Sequence, residues 1–387
     1  MSEATGAHAP IAKVPLRVIA REWGRIGVIG VGGPPAHIAL LRHLSVERHH
    51  WLSSEEFEHA VAAANLLPGP ASTQLMIYSA WRLRGVRGAL VGGISFILPG
   101  LVLIIGLSVL FFAHHPSRVI LGAALGAGAV VPVIALRTAW QLAQPSWRNT
   151  SGRSTRLRWS AYAALGVGSA LFAPALVVLA LVGCGVAEIL ARHEGPRHAL
   201  AAGLATVHTV ALGGLGALAW VAFKVGALSY GGGFVIIPLM QHDVVSTFHW
   251  MSGAQFLNAV ALGQITPGPV VLTVSAVGYA AHGLGGAGIA TVVAFAPSFA
   301  FIIVGARHFD RLRLNTTVLA FLAGAGPSVI GAIGASAIAL AMFITHLWQG
   351  AVLAAALTWL LGLRRGSTTM LLGAAVLGAL ISGVVPL

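Results

Sequence analysis

Charge is what this sequence has least of. Only 9% of its 387 residues are Asp, Glu, Lys or Arg, against about a quarter in ordinary soluble domains, while 57% are hydrophobic and the mean hydropathy is +0.86. From Val244 to Ala306, and again from Leu314 to Leu363, there is no charged residue at all. Such stretches exclude a soluble globule, whose surface they would have to form. They also lack the polar and apolar alternation of a transmembrane β-barrel. Cysteine occurs once, at Cys184 inside an apolar run, so neither a disulfide framework nor a cysteine-rich metal centre is available. No Walker motif is present to hydrolyse ATP, and the 16 histidines show neither HExxH nor any clustered ligand spacing. The 23 basic residues outnumber the 10 acidic ones but are scattered between apolar runs, so no nucleic-acid partner is expected. What remains is an all-α polytopic membrane protein, surrounded by the lipid bilayer, with no cofactor and no metal.

A repeat runs through the chain. Arg25, Gly27, Gly32, Gly33, Trp51, Ser53, Phe57, Pro68, Gly69 and Pro70 recur 199 positions later as Lys224, Gly226, Gly231, Gly232, Trp250, Ser252, Phe256, Pro267, Gly268 and Pro269. Beyond the prolines the offset becomes 198, pairing Gly85 with Gly283 and Gly88 with Gly286. On a criterion of roughly 20 apolar residues per span, the first copy divides into segments near 26–43, 54–82, 88–113, 119–144, 159–173 and 174–191. The second divides near 224–241, 253–281, 285–306, 316–346, 349–363 and 368–386, and one further segment, 199–222, connects the copies. The expectation is therefore about 13 nominal spans, arranged six, one, six. The domains follow: a tail over 1–24, a first repeat over 25–198, a connecting helix over 199–222 and a second repeat over 223–387.

Met1 to Arg25 lacks the apolar core of a signal peptide and reads as a cytoplasmic tail. With that end inside, Arg82, Arg84, Arg87, Arg148, Arg153, Arg156, Arg158, Arg192 and Arg197 fall inside. After the odd connecting helix so do Arg307, Arg311, Arg313, Arg364 and Arg365, and the C-terminus falls on the periplasmic or extracellular face. This is the charge pattern of an inverted-topology repeat. Arg42 and Arg48 are the exceptions, and they leave open a re-entrant first segment.

The chemistry points to the breaks. Pro68-Gly69-Pro70 and Pro267-Gly268-Pro269 each interrupt an apolar segment at membrane depth, because proline removes a backbone donor and clashes with the preceding turn. The result is a discontinuous or re-entrant helix, and broken backbone is tolerated in a bilayer only where it lines a cavity or is buried in protein. A helix restarting after Pro70 presents free N–H groups beside Ser72, Thr73 and Gln74, and its positive dipole end suits an anion. Asn65 precedes that break; Gln264 and Thr266 precede the other. Glycine clusters at Gly32 and Gly33, and at Gly231, Gly232 and Gly233 after Tyr230, open backbone to a ligand or let helices approach closely. Arg25 and Lys224 supply a cation ahead of each cluster, with snorkelling as the alternative role. Glu55, Glu56 and Glu58 at a helix start read as capping groups.

Gly32-Gly-Pro-Pro-Ala-His, Leu66-Leu-Pro-Gly-Pro-Ala, Tyr230-Gly-Gly-Gly and Gly263-Gln-Ile-Thr-Pro-Gly-Pro-Val together resemble the chromate ion transporter family in its long, two-domain form, over about Arg25 to Leu387. Val31 stands where the family usually has an aromatic residue, and Arg25 where it usually has lysine. The resemblance implies two homologous halves of opposite orientation in a prokaryotic inner membrane. It also implies export of chromate driven by the proton motive force, and hence chromate resistance. On this reading the partners are chromate or a related oxyanion and protons, while a homo-oligomer is left open. The residues themselves leave two alternatives: a transporter or exchanger of sulfate or another oxyanion, and an intramembrane enzyme. The enzyme would need an acid/base pair within reach, and the second half offers only Asp243 and Asp310 as acids.

Overall fold

A computed structural model describes residues 14–66, 69–113, 116–192, 213–229, 236–305, 315–362 and 366–384. Pro68, Tyr230, Gly231, Gly232 and Gly233, all expected at the site, lie outside the described residues. The described residues form helices joined by short turns, without a strand: α1 (Leu16–Ile29), α2 (Pro34–Arg42), α3 (Ser54–Leu66), α4 (Ala71–Phe111), α5 (Arg118–Arg148), α6 (Arg153–Phe172) and α7 (Val177–Arg192). They continue with α8 (Gly214–Leu228), α9 (Ile236–His242), α10 (Gly253–Ile265), α11 (Thr273–Gly305), α12 (Thr316–Ala341), α13 (Leu347–Leu357) and α14 (Ser367–Val384). The chain is a multi-pass membrane protein: several of these helices are apolar enough to cross a bilayer.

The segments that look like single spans are hairpins. Ile29 and Pro34 bracket the first glycine cluster, where Gly32 and Gly33 take φ of 113° and 76°, and the chain reverses there. Arg48, just beyond α2, comes back to within 4.0 Å of Glu22 on α1, and Trp51 stacks on Trp23 at 6.1 Å. In the same way α3 and the first leg of α4 are a hairpin about Gly69, since Arg82 near the end of that leg donates to Glu56 near the start of α3 at 2.6 Å. The 41 residues of α4 do not make one rod either. Arg84 and Gly85 are non-helical, and a Cβ on Gly93 would meet Ile77 at 2.9 Å, although 16 residues of straight helix would hold them about 24 Å apart. α11 turns identically at His282 and Gly283. The second leg of α4, 86–111, is roughly 39 Å long and exposes Val86, Leu90, Ile94, Leu98 and Val102 as one stripe at i+4 spacing, the surface a bilayer covers.

The helix boundaries differ from the sequence reading at the start of each copy. α1 begins at Leu16, inside the stretch expected as a tail, because Arg17, Arg21 and Arg25 form the exposed face of an amphipathic helix whose other face buries Ile19, Trp23, Ile26 and Gly27. α8 occupies the equivalent place 199 residues on, so the end of the stretch expected as a connector belongs to the second copy's first helix.

Backbone geometry repeats with the sequence. Gly69 and Gly268 take φ of 120° and 98°, His50 and His249 take 50° and 52°, and Gly85 and Gly283 both take 60°. The Ser53 and Glu56 capping box recurs as Ser252 and Gln255, which answers the question of the N-terminal glutamates: Glu56 caps, and Glu58 pairs with Arg42. The copies do not sit side by side. Each interlocks with the other, α5 packing on α13 and α14 while α12 packs on α6 and α7. Glycines set these approaches: a Cβ on Gly126 would strike the Ala374 carbonyl, and one on Gly166 the Ser328 carbonyl.

Candidate functional site

The two Pro-Gly-Pro breaks meet the opposite copy reciprocally. The Gly69 N–H donates to the Ser229 carbonyl at 2.9 Å, and the Gly268 N–H donates to the Gly30 carbonyl at 3.1 Å; Gly30 and Ser229 are themselves equivalent positions. Only glycine reaches these partners, since both break glycines have φ near 100° or above, where a Cβ is strained.

A cavity of about 340 Å³ opens beside the breaks. Gly32, Gly33, Asn65, Ala71, Gln264 and Val270 line it from the hairpins, and Thr138, Gln141, Ser367 and Thr368 from α5 and α14. Four helix starts border it: α2 at Pro34, α4 at Ala71, the short helical turn Val270–Leu272 that leads into α11, and α14 at Ser367. At α4 the amides of Ala71, Ser72 and Thr73 precede the first intrahelical bond, from Gln74 N–H to the Pro70 carbonyl at 3.0 Å, and no side chain caps them. Among the described residues, no acidic or basic side chain lines the cavity. Its polarity is that of helix N-termini and neutral amides and hydroxyls, which favours negative charge.

Several polar atoms around the breaks have no partner among the described residues. The Gln264 amide nitrogen and the hydroxyls of Thr73, Ser229 and Ser298 are buried and unbonded. A buried donor left unmade is unfavourable by about 1–3 kcal/mol, so these atoms call for a partner beyond the described residues. Thr266, by contrast, is satisfied by the Leu262 carbonyl at 2.7 Å.

The structure thus brings Gly32, Gly33, Asn65 and Gln264 to one cavity; Gly69, Pro70, Ser72, Thr73 and Gln74 flank its lining residue Ala71 in the chain, and Thr266, Pro267, Gly268 and Pro269 lead into its lining residue Val270. It does not bring the two cations there. Arg25 is on the exposed face of α1, and Lys224 is paired with Asp243 and lies 5.9 Å from the Trp220 ring, so its charge is already compensated. Asp243 follows the glycine cluster by ten residues, and the hairpin closure that places it beside Lys224 cannot be read from sequence spacing. Sequence reasoning also missed Thr138, Gln141, Ser367 and Thr368. The Gly366-Ser367-Thr368-Thr369 stretch is the one readable signal among them, a helix-start pattern behind two arginines. Glu188 is held by Arg158 at 2.8 Å and Arg192 at 2.7 Å, away from the cavity.

Comparison with known proteins gives this geometry a context. The family model described as chromate transporter matches residues 18–189 and 216–379. A chromate transport protein of Cupriavidus metallidurans is 31% identical over 340 residues, covering 84% of this chain and 82% of that protein. One from Pseudomonas aeruginosa is 32% identical over 369 residues, covering 88% and 85%. A Bacillus subtilis protein named uncharacterized transporter YwrB is 31% identical over 174 residues, which are 44% of this chain and 86% of that protein. No solved structure matches the chain.

Proposed function

Given that the chain belongs to the chromate transporter family, we propose that it exports chromate from the cytoplasm across a prokaryotic inner membrane, drawing on the proton motive force and conferring chromate resistance. The observation that carries this reading is the cavity between the two breaks, bordered by four helix starts and lined, among the described residues, by no acidic side chain. A tetrahedral dianion takes its hydrogen bonds there from the amides after Pro70 and Pro269 and from Asn65, Gln264, Thr138 and Thr368. The cations Arg25 and Lys224 act outside the cavity, in orientation and packing.

The reciprocal contacts support two inverted repeats related by a pseudo-twofold axis in the membrane plane, with the N-terminus cytoplasmic and the C-terminus outside. The interlocked packing argues against one sequence half rocking on the other. The moving units are instead the core of paired hairpins and the flanking bundles, α5 with α13 and α14, and α12 with α6 and α7; the cavity lies where core and first bundle meet. Neutral dipoles bind sulfate by the same geometry, and that is the second reading. Uptake of labelled chromate into inside-out vesicles under an imposed membrane potential tests the first reading, with sulfate as competitor. Chromate accumulation that excess sulfate leaves within about twofold is the expected result. Accumulation of sulfate in place of chromate would transfer the site to the second reading, and no flux of either would overturn both.

A further inference from the structure

Among the described residues the cavity that suits a dianion is lined by no fixed cation, and one titratable side chain is buried directly behind its wall. His37 sits one turn into α2, fully buried, with Gly33 and Pro34 of its own element on the cavity surface. Its Nε2 is 2.9 Å from the Gly30 carbonyl, the same oxygen that accepts the Gly268 N–H, and its Nδ1 is 3.3 Å from the Ser72 hydroxyl. The imidazole therefore bridges the two breaks: Ser72 follows the first Pro-Gly-Pro, and the shared Gly30 oxygen holds the second. A carbonyl can only accept, so Nε2 carries a hydrogen and Nδ1 is the free, basic nitrogen, which accepts from the Ser72 hydroxyl.

We propose that His37 is a proton-binding site linked to the oxyanion cavity, a role that rests on the oxyanion reading above and goes beyond it. A proton arriving at Nδ1 turns that nitrogen into a donor to Ser72 Oγ. The Ser72 hydrogen, released from Nδ1, becomes available to an oxyanion at the amides of Ala71 to Thr73, and the ring places one positive charge behind a cavity whose described lining has none. Anion and proton then bind with mutual advantage, since linkage requires that each raise the affinity of the other equally. Carried out together, a dianion and one proton still move net negative charge, which an inside-negative potential favours.

Among the described residues, no charged side chain is placed against the ring. The groups placed against the ring are Ser72 and Phe96 of α4, the latter edge-on at 5.0 Å, and the Gly30 carbonyl at the end of α1. On the same elements Arg25 is exposed, Glu22 is opposite Arg48, Arg42 is paired with Glu58 and Arg82 with Glu56. The turn that carries Gly268 has no titratable residue.

The test is equilibrium binding of labelled chromate to the full chain in lipid nanodiscs across about pH 5.5 to 8.5, with proton uptake on binding read by an indicator dye in weak buffer. The oxyanion's own titration is common to every variant and cancels in the comparison. Wild type is expected to take up protons on binding and to lose affinity about tenfold or more as the pH rises. His37→Gln, whose amide can still donate to Gly30, is expected to bind weakly and to keep only the oxyanion's own pH dependence. Ser72→Ala keeps the imidazole but removes the acceptor for its second proton, so its midpoint should move to lower pH by about half a unit or more. That variant decides the matter if His37→Gln does not fold. A pH dependence in His37→Gln equal to that of wild type, or an unmoved midpoint in Ser72→Ala, would overturn the role of His37 while leaving the oxyanion site standing. Failure of wild type to bind chromate at any pH would instead overturn the oxyanion reading and this inference with it.

Discussion

Gln264 and Lys224 are both polar residues inside apolar helices, and their surroundings give them opposite roles. The Gln264 amide nitrogen is buried at the cavity without a partner among the described residues. Replacing it by leucine removes an unmade donor, so Gln264→Leu should leave the thermal melting point unchanged or raised. The same change should weaken chromate binding by roughly tenfold or more, the worth of a hydrogen bond to a charged group. Equilibrium dialysis and a melting curve on the same preparation check both halves of that expectation. Lys224 behaves in the contrary way. Its ammonium and the Asp243 carboxylate are both largely buried and paired, so Lys224→Gln strands an acid and should destabilise the protein by about 1–3 kcal/mol. Adding Asp243→Asn should restore most of that loss, and chromate affinity should hold within a few-fold throughout. Sequence alone singled out both residues correctly as unusual. What it could not supply was the hairpin closure that gives Lys224 an acid and leaves Gln264 without a partner.

At the scale of elements, the proline and glycine punctuation was legible, and the hairpins were legible only as one of two alternatives. Pro-Gly-Pro announces a break by its missing donors, and the matching break 199 residues on makes it architectural. Whether the chain continues or reverses at a break depends on tertiary partners such as Arg82 with Glu56, and a local pattern does not contain them. The turn at Gly85, by contrast, was legible: Arg82, Arg84 and Arg87 interrupt the apolar run there, and the non-helical Arg84 and Gly85, the latter at φ of 60°, make the reversal. A methyl group at Gly85 meets nothing within 4 Å, so Gly85→Ala should be destabilising by backbone strain alone, about 1–3 kcal/mol, because φ of 60° with ψ of -148° is a conformation essentially confined to glycine. Gly226 has ordinary backbone but faces the Ala294 carbonyl where α8 crosses α11, and Gly226→Ala must drive two helices apart. It should therefore lower the melting temperature by more than Gly85→Ala does. The reverse ranking would mean that the helix approach is looser than the structure has it.

The whole molecule is two copies that complete one another. The duplicated motifs made the repeat legible, and they carried the resemblance to the chromate transporter family as well. They gave no indication that α5 would pack on the second copy's last helices and α12 on the first copy's, because apolar helices show no preference for partners in their composition. A chain cut within 193–212 should consequently yield halves that are unstable when expressed singly and that assemble when expressed together, as co-purification of a tag on one half would reveal. Independent, monodisperse halves would contradict the interlocked arrangement.

The central claim is that an oxyanion is held by uncapped helix starts in the cavity between the breaks. An experimental structure of the full chain in lipid with chromate, locating chromium by its anomalous scattering, tests this most directly. The account predicts a single strong peak within hydrogen-bonding reach of the Ala71 to Thr73 amides, facing Gln264 and Thr368. A peak instead among Arg158, Arg192 and Glu188, with the cavity between the breaks empty, would contradict it.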